Sequence, residues 1–338
     1  MSGEGFVSFA NSTVDRGTVE AMIKNGDYLV IAGDEKVLRS LPSGNWIAGT
    51  IPYFMTSEGG KVDQDILYIN RLSGIAPSMQ PRLTLYDTQS ISRIAQEAPE
   101  HGFTILILPS GSEVHLSYAQ NAPDYPNMYF SPIIGWIAGM HLNELSTNTA
   151  KVGFGPAAGM LSDNQAAAMH VPLPESQVAN IKIINVFQPG AGKAIRFPER
   201  GFKVSRCKVG DDDWSLADYI REHNIDTRLP LVANYSGVMI NVSIQELVND
   251  AVNLYAPVFP GIDYHFAEPI GDYVNEFNQA LPAEDSKNVA FCCNCILNFL
   301  YSELEGKKTG SLTGPMTFGE VAYQLLNQTM AYLTLDKQ

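Results

Sequence analysis

The fold is indicated by a stretch near the N-terminus, residues 28–50, which reads YLVIAGDEKVLRSLPSGNWIAGT. Residues 28–32 form a compact apolar run, which is typical of a buried strand. Residues 35–41 carry apolar side chains at helical spacing and end at a Pro-Ser-Gly break, and residues 46–50 form a second apolar run. A strand, a short helix and another strand are therefore predicted in succession. Further along the chain, helices are predicted at 88–98, with Asp87 or Thr88 as N-cap, and at 272–280.

The C-terminal part of the chain has the same order of elements. In the first series, a Gly-Gly turn and a strand at 65–70 follow. The second series consists of a strand at 289–293, a helix at 295–304, a segment at 311–315, a Gly-Glu turn and a strand at 329–335. We therefore predict a mixed α/β (α+β) fold of two similar halves related by a pseudo-twofold duplication, in which helices cover a largely antiparallel or mixed sheet in each half.

The boundary between the halves is indicated by a change in composition. Residues 171–177 read VPLPESQ, and their two Pro, one Glu and one Ser are typical of a linker. We predict an N-terminal half at 1–170 and a C-terminal half at 178–338. Two packed halves form a cleft between them, which is a common place for a small ligand.

The charge of the chain excludes some classes of partner. The formal net charge of the 338 residues is −14 at pH 7, and the basic residues are scattered. Binding to nucleic acid or to an anionic membrane needs clustered Lys and Arg, so neither is expected.

The first residues lack the basic and apolar regions of a secretion signal, which predicts a cytoplasmic location. Three of the four Cys lie within four positions, so reduced thiols rather than disulfides are expected.

The cysteine-rich segment, Cys292-Cys293-Asn294-Cys295, lies where a predicted strand turns into a helix. A thiol at a helix N-terminus meets the positive end of the helix dipole, which lowers its pKa. Cys293 and Cys295 are therefore candidates to line a site. The alternative is that they are small buried hydrophobes, as free Cys often is. One Cys-x-x-Cys pair supplies two metal ligands, so no metal site is predicted.

Two turns provide the other candidates. Gly314 and Glu320 lie around the turn of the second series, and Thr50 lies at the corresponding place in the first. Glycines let a backbone approach a ligand closely and present its N–H groups. The alternative is that these residues serve turn geometry alone. No complete catalytic set is visible, so no catalytic residue is assigned and an enzyme is the less favoured interpretation.

The C-terminal stretch resembles the end of a FIST domain. The similarity lies in LTGPMTFGE at 312–320 and in the Asn-Gln-Thr turn at 327–329 before the last strand, and residues 30–50 with Gly59 resemble the N-terminal FIST half. The chain has Cys-Asn-Cys where the family tends to carry Cys followed by Gly-Arg. The resemblance implies a diverged member with FIST N-terminal and C-terminal halves. It also implies an intracellular sensory module that binds a small molecule, such as an amino acid, and acts through a signalling partner.

Three functions remain open at this point. The first is a small-molecule-binding sensory protein whose ligand lies in the cleft between the halves. The second is a hydrolase or transferase with Cys293 or Cys295 as its nucleophile, which would need a base within hydrogen-bond reach. The third is a haem-binding gas sensor with an axial His or Cys, as some FIST proteins are associated with haem. No cofactor is expected for the first.

Overall fold

The computed structural model describes residues 6–157, 159–235, 237–281 and 288–338. It shows a mixed α/β fold of several sheets, as predicted. The first segment of the chain contains β1 (Ser8–Val14), α1 (Arg16–Lys24), β2 (Tyr28–Gly33), α2 (Glu35–Leu38), β3 (Trp46–Thr50), β4 (Tyr53–Thr56), β5 (Gly59–Val62) and β6 (Leu67–Ser73). The second contains β7 (Arg82–Tyr86), β8 (Gly102–Pro109), α3 (Glu113–Asn121), β9 (Ile133–Ala138), β10 (Val152–Phe154), β11 (Leu161–Ser162) and β12 (Ala166–Pro172).

The third segment is interrupted by an insertion. It begins with β13 (Gln177–Ile184). The insertion then contains β14 (Ile195–Arg196), β15 (Gly201–Val204), β16 (Arg206–Val209), β17 (Asp212–Ser215), α4 (Leu216–Glu222), β18 (Leu231–Tyr235), β19 (Val238–Val242), β20 (Ile244–Val248), β21 (Ala251–Val258), β22 (Tyr264–Phe266) and α5 (Tyr273–Ala280). The third segment resumes with β23 (Val289–Cys295), α6 (Ile296–Tyr301), β24 (Gly314–Thr317), β25 (Glu320–Ala322), β26 (Gln324–Leu326) and β27 (Met330–Lys337). Within the described ranges, no helix has the length and apolar character needed to cross a membrane.

The three segments share one order of strands. In the first segment, β6 lies antiparallel between β1 and β2, and β2 runs parallel to β3. The order β7-β12-β8-β9 in the second segment has the same orientations. The order β13-β27-β23-β24 in the third segment has them again. The same connectivity therefore occurs three times along the chain.

A hairpin links each segment to another. The hairpin β4–β5 follows β3 in the chain but pairs with β24. In the same way, β10–β11 follows β9 but pairs with β3, and β25–β26 follows β24 but pairs with β9. Each hairpin thus extends the sheet of a different segment, and the three segments interlock.

The predicted pseudo-twofold duplication is not confirmed. The two ends of the chain do share their connectivity, but the middle segment shares it too, so the repetition is threefold. The sequence comparison missed the middle segment because 13 residues, 139–151, separate β9 from β10, where the other segments have a short turn. The division into 1–170 and 178–338 remains a prediction. In the structure, β12 ends at Pro172 and β13 begins at Gln177.

One predicted helix is wrong. Residues 88–98 were expected to be helical, but they contain only the 3-10 turn Ile91–Arg93. The Asp87 carboxylate accepts hydrogen bonds from the Ser90 hydroxyl (2.6 Å) and from the Ser90 N–H (2.9 Å). Such local side-chain bonds compete with helical backbone bonds. The helix of this segment is instead α3, whose N-cap Ser112 accepts from the His115 N–H.

A large hydrophobic core contains buried residues of all three segments and of the insertion. In β8, the residues from Phe103 to Leu108 are fully buried, as expected of a strand covered on both faces. The Trp136 ring of β9 stacks on the Phe291 ring of β23, with 5.8 Å between centroids. The residue opposite Trp136 on β25 is Glu320. A carboxyl group is therefore placed in the middle of an apolar core.

The insertion packs against the third segment through amide side chains. Asn185, which follows β13, and Asn241 of β19 exchange two hydrogen bonds of 2.8 and 3.0 Å. Gln328, just before β27, accepts from the Ser243 hydroxyl (2.7 Å) and donates to the Arg228 carbonyl (3.1 Å). These contacts fix the side of the third segment on which the insertion lies.

Candidate functional site

Glu320 is the most unusual side chain of the core. It is fully buried. Its Oε2 atom accepts hydrogen bonds from the Thr329 hydroxyl (2.6 Å) and the Thr329 N–H (3.3 Å), whereas its Oε1 atom has no hydrogen-bond partner in the described structure. Burial raises the pKa of this carboxyl well above its usual range, and the two bonds from Thr329 only partly offset the shift. Burial therefore favours the neutral, protonated form of Glu320 in the folded protein.

Two of the predicted site cysteines lie beside this carboxyl. Cys293 and Cys295 are on the same face of β23, and the Cys295 thiol lies next to Glu320. The Cys293 thiol donates to the Gly135 carbonyl at 3.1 Å. Cys292 points to the opposite face and donates to the Thr313 carbonyl at 2.9 Å. The structure thus brings Cys293, Cys295 and Glu320 together.

The environment of these thiols does not favour a nucleophile. Burial raises the pKa of Cys293 and of Cys295 well above the usual thiol value, and the Glu320 carboxyl acts in the same direction. We had expected the start of the following helix to lower a thiol pKa here, but α6 is short and the burial is complete. Both side chains are therefore protonated thiols at neutral pH, whereas nucleophilic attack needs the thiolate.

Thr50 and Gly314 lie at other contacts. The Thr50 hydroxyl donates to the Gly139 carbonyl at 2.6 Å and accepts from the Lys151 N–H at 2.8 Å, so it joins the first segment to the second. Gly314 starts β24, where an added Cβ would overlap the carbonyl oxygen of Cys292. Both positions have clear packing reasons for their residue types. A ligand-binding role for the five predicted residues stays a prediction.

Two buried amide side chains, Asn294 and Asn298, lie close to Cys295 in the chain. The Asn298 Nδ2 atom donates to Asn294 Oδ1 at 2.9 Å and to the Thr329 carbonyl at 3.4 Å. Asn294 Nδ2 and Asn298 Oδ1 have no hydrogen-bond partner in the described structure. The Tyr273 hydroxyl lies beside both amides, and burial raises the pKa of this phenol above its usual value. Asn294, Asn298 and Tyr273 thus form one buried polar cluster.

A cavity lies directly outside this amide pair, between the third segment and the insertion. We call it the first cavity, and its volume is about 670 Å³. Its lining residues are Phe187, Asp226, Arg228, Leu229, Pro269, Ile270, Gly271, Asp272, Tyr273, Val274, Asn298, Tyr301, Ser302, Glu303, Lys307 and Gln328. Buried Tyr273, Asn298 and Gln328 form its polar inner end. None of the five predicted site residues lines it.

The outer end of the first cavity carries charges of both signs. The Arg228 guanidinium is paired with the Asp226 carboxylate, with 2.6 Å between Nη2 and Oδ2. The Lys307 ammonium donates to the Ser302 carbonyl at 3.1 Å. The Asp272 carboxylate caps α5 by accepting from the Asn275 N–H at 3.1 Å. A ligand here would meet cationic and anionic groups together.

Sequence reasoning missed the residues of this cavity. Tyr273 and Asn298 fall inside or beside predicted helices, and nothing in their spacing separates them from ordinary helix residues. The Asn-Gln-Thr motif at 327–329 indicates a turn, but it does not indicate that Gln328 lines a cavity. Within the described ranges, no group of three or more His, Cys, Asp or Glu side chains is arranged to hold a metal ion.

Comparison with known proteins corrects the resemblance drawn from the sequence. A family model matches residues 14–336, and it describes a family of unknown function, DUF6976, whereas no FIST domain matches. The FIST resemblance is therefore wrong: the motifs that suggested it at 30–50 and 312–329 are too short to distinguish families. No curated protein and no solved structure matches the chain. Because the match covers nearly the whole chain, the protein belongs to the family of unknown function DUF6976.

Proposed function

We propose that this protein binds a small polar molecule in the first cavity. The observation that carries the proposal is the inner end of the cavity, where the buried polar side chains of Tyr273 and Asn298 lie together. Buried polar groups at one end of a concave site fix the orientation of a ligand by hydrogen bonds. A cavity of about 670 Å³ is within the range of small-molecule sites.

The lining favours a ligand that carries both positive and negative charge. Arg228 and Lys307 offer donors to a carboxylate, and Glu303 offers an acceptor to an ammonium group. The Asn298 amide and the Tyr273 hydroxyl suit a neutral polar group at the inner end. Amino acids and their amides combine these features, so they are the first class of ligand that we propose.

A sensory role would follow from the position of the cavity. Gln328 contacts both the insertion and the third segment, and it also lines the cavity. Ligand bound there would hold the two parts in one relative position, which a signalling partner protein could recognise. We keep the cytoplasm as the proposed location. The net charge of −14 makes nucleic acid and anionic membranes poor candidates as partners.

The binding proposal is tested by thermal unfolding in the presence of amino acids, their amides and other zwitterions. We expect at least one of them to raise the unfolding temperature in a saturable way, because binding to the folded state alone stabilises it. Arg228→Gln should then weaken binding about tenfold, because a charge-assisted hydrogen bond to the ligand is lost. Isothermal titration calorimetry gives the two dissociation constants.

The chain offers a matched control for this variant. Arg196 pairs with Asp263 on the surface, as Arg228 pairs with Asp226, but Arg196 does not line the cavity. Arg196→Gln should therefore leave the dissociation constant unchanged. No shift with any compound of the set, or equal weakening by the two variants, would contradict the proposal.

A further inference from the structure

A second cavity lies on another side of the insertion. Its volume is about 820 Å³. Its lining residues are Tyr129, Ile181, Ile183, Asn185, Tyr235, Gly237, Val238, Met239, Ala322, Tyr323 and Gln324. They come from the loop before β9, from one face of β13 and from the turns of the β18–β19 and β25–β26 hairpins. Three separate parts of the chain thus each bring a tyrosine to one cavity.

The chemistry of this lining differs from that of the first cavity. None of the described lining residues is Asp, Glu, Lys, Arg or His. The Asn185 amide is already engaged, since it exchanges hydrogen bonds with Asn241 and accepts from the Phe187 N–H at 3.0 Å. A charged ligand would lose its hydration here without gaining a partner of opposite charge. The lining therefore selects an uncharged molecule.

The backbone of Tyr323 adopts a strained conformation beside the cavity. Tyr323 has a φ of 62°, a left-handed conformation that is unfavourable for a bulky residue and that Asn adopts more easily. Its N–H donates to the Ile133 carbonyl at 2.8 Å, and its carbonyl accepts from the Tyr118 hydroxyl at 2.7 Å. These bonds hold the strained residue in position. Strain of this kind is concentrated at binding and catalytic sites.

Aromatic rings form part of the wall of the second cavity. The Tyr235 hydroxyl is bonded to the Tyr264 hydroxyl at 2.7 Å, which leaves the ring to line the cavity. The Tyr129 and Tyr323 rings contact each other with 5.7 Å between centroids. Tyr129 is 60% exposed, so this aromatic wall is open to solvent and to an entering molecule. Aromatic rings bind other aromatic rings by stacked or edge-on contacts.

We propose that the second cavity binds an uncharged, flat aromatic molecule against Tyr129, Tyr235 and Tyr323. The site shares no lining residue with the first cavity and does not depend on the function proposed there. Its ligand differs in class, being aromatic and uncharged where the first ligand is polar and zwitterionic.

The test uses the uncharged fluorescent probe N-phenyl-1-naphthylamine with the full-length protein. We expect saturable binding, seen as a rise in fluorescence. Tyr323→Asn should weaken this binding about tenfold, because one wall of the cavity loses its ring. The variant should fold as well as the wild type or better, because Asn is favoured at this backbone conformation. Tyr323→Phe keeps the ring and should bind as the wild type does.

The control replaces an exposed apolar residue that does not line the second cavity. Leu145 is 55% exposed, and Leu145→Asn removes apolar surface without touching the cavity. It should leave the dissociation constant of the probe unchanged. The proposal is overturned if the wild type shows no saturable binding, or if Tyr323→Asn binds the probe as tightly as Leu145→Asn does.

Discussion

Replacing Gly314 with alanine should lower the free energy of unfolding by about 2–3 kcal/mol. The new Cβ would overlap the carbonyl oxygen of Cys292 and press on its thiol. β24 cannot move aside easily, because it pairs with β23 on one edge and with β4 of the first segment on the other. The backbone must therefore shift in two sheets at once. Urea unfolding followed by circular dichroism measures the loss.

Gly192→Ala is the control for this variant. An added Cβ there has nothing within 4 Å. Its effect should stay below about 1 kcal/mol in either direction, because alanine mainly restricts the unfolded chain. A loss in Gly314→Ala no larger than that of Gly192→Ala would show that the packing argument is wrong. If Gly314→Ala instead kept its stability and lost ligand binding, the sequence-based role of Gly314 would be supported.

The apolar strands could be predicted from the sequence because a buried strand is a short run of apolar residues. The strand predicted at 289–293 is β23 (Val289–Cys295), and the helix predicted at 272–280 is α5 (Tyr273–Ala280). The helix predicted at 88–98 failed although Ile91 and Ile94 have helical spacing. Both side chains are buried in the structure, but a 3-10 turn suffices to bury them. Spacing shows which residues face the core and not which backbone brings them there.

The threefold repetition could not be predicted in the same way. It is a property of strand order, and the exchanged hairpins connect residues that are far apart in the chain, such as Pro315 and Phe54. Only the ends of the chain have kept a similar pattern of Gly and Thr around their turns. Comparison of residues therefore found two copies, whereas the pairing of strands shows three.

The candidate site likewise has one part that could be predicted from the sequence and one part that could not. Alternation along β23 places Cys293 and Cys295 on one face, so their proximity was open to prediction. That Glu320 meets them requires the pairing of β25 with β9, which no local pattern encodes. The first cavity depends further on an insertion that brings Arg228 and Tyr273 to the third segment. Local patterns in one sequence do not predict a site that is formed by long-range packing.

Glu320→Gln should make the protein more stable than the wild type at neutral pH, and the advantage should grow as the pH rises. The carboxyl is fully buried, and burial raises its pKa well above the usual range. In the unfolded chain the same group titrates near its ordinary value of about 4.3. Between these two pKa values the unfolded state releases a proton that the folded state retains. Stability therefore falls as the pH rises through this window, by about 1.4 kcal/mol for each pH unit.

Glutamine has no titratable proton and keeps the shape of the side chain. Its carbonyl oxygen can still accept from the Thr329 hydroxyl and N–H. The difference between variant and wild type should be smallest below about pH 3.3, where the carboxyl is protonated in both states, and should grow up to neutral pH. Urea unfolding midpoints at a series of pH values measure it. A constant difference across the series would show that Glu320 does not carry the proton.

Glu35→Gln is a control of opposite sign. Partial burial works to raise the pKa of Glu35, but the hydrogen bonds and charges of Lys151 and Arg39 outweigh it and hold the pKa below the usual value. Its carboxylate therefore stabilises the folded state at neutral pH, and this contribution disappears as the pH falls through the folded pKa. Glu35→Gln should be less stable than the wild type at neutral pH and approach it in acid. Opposite trends in two Glu→Gln variants would separate a buried neutral acid from a paired carboxylate, which a change at one pH cannot do.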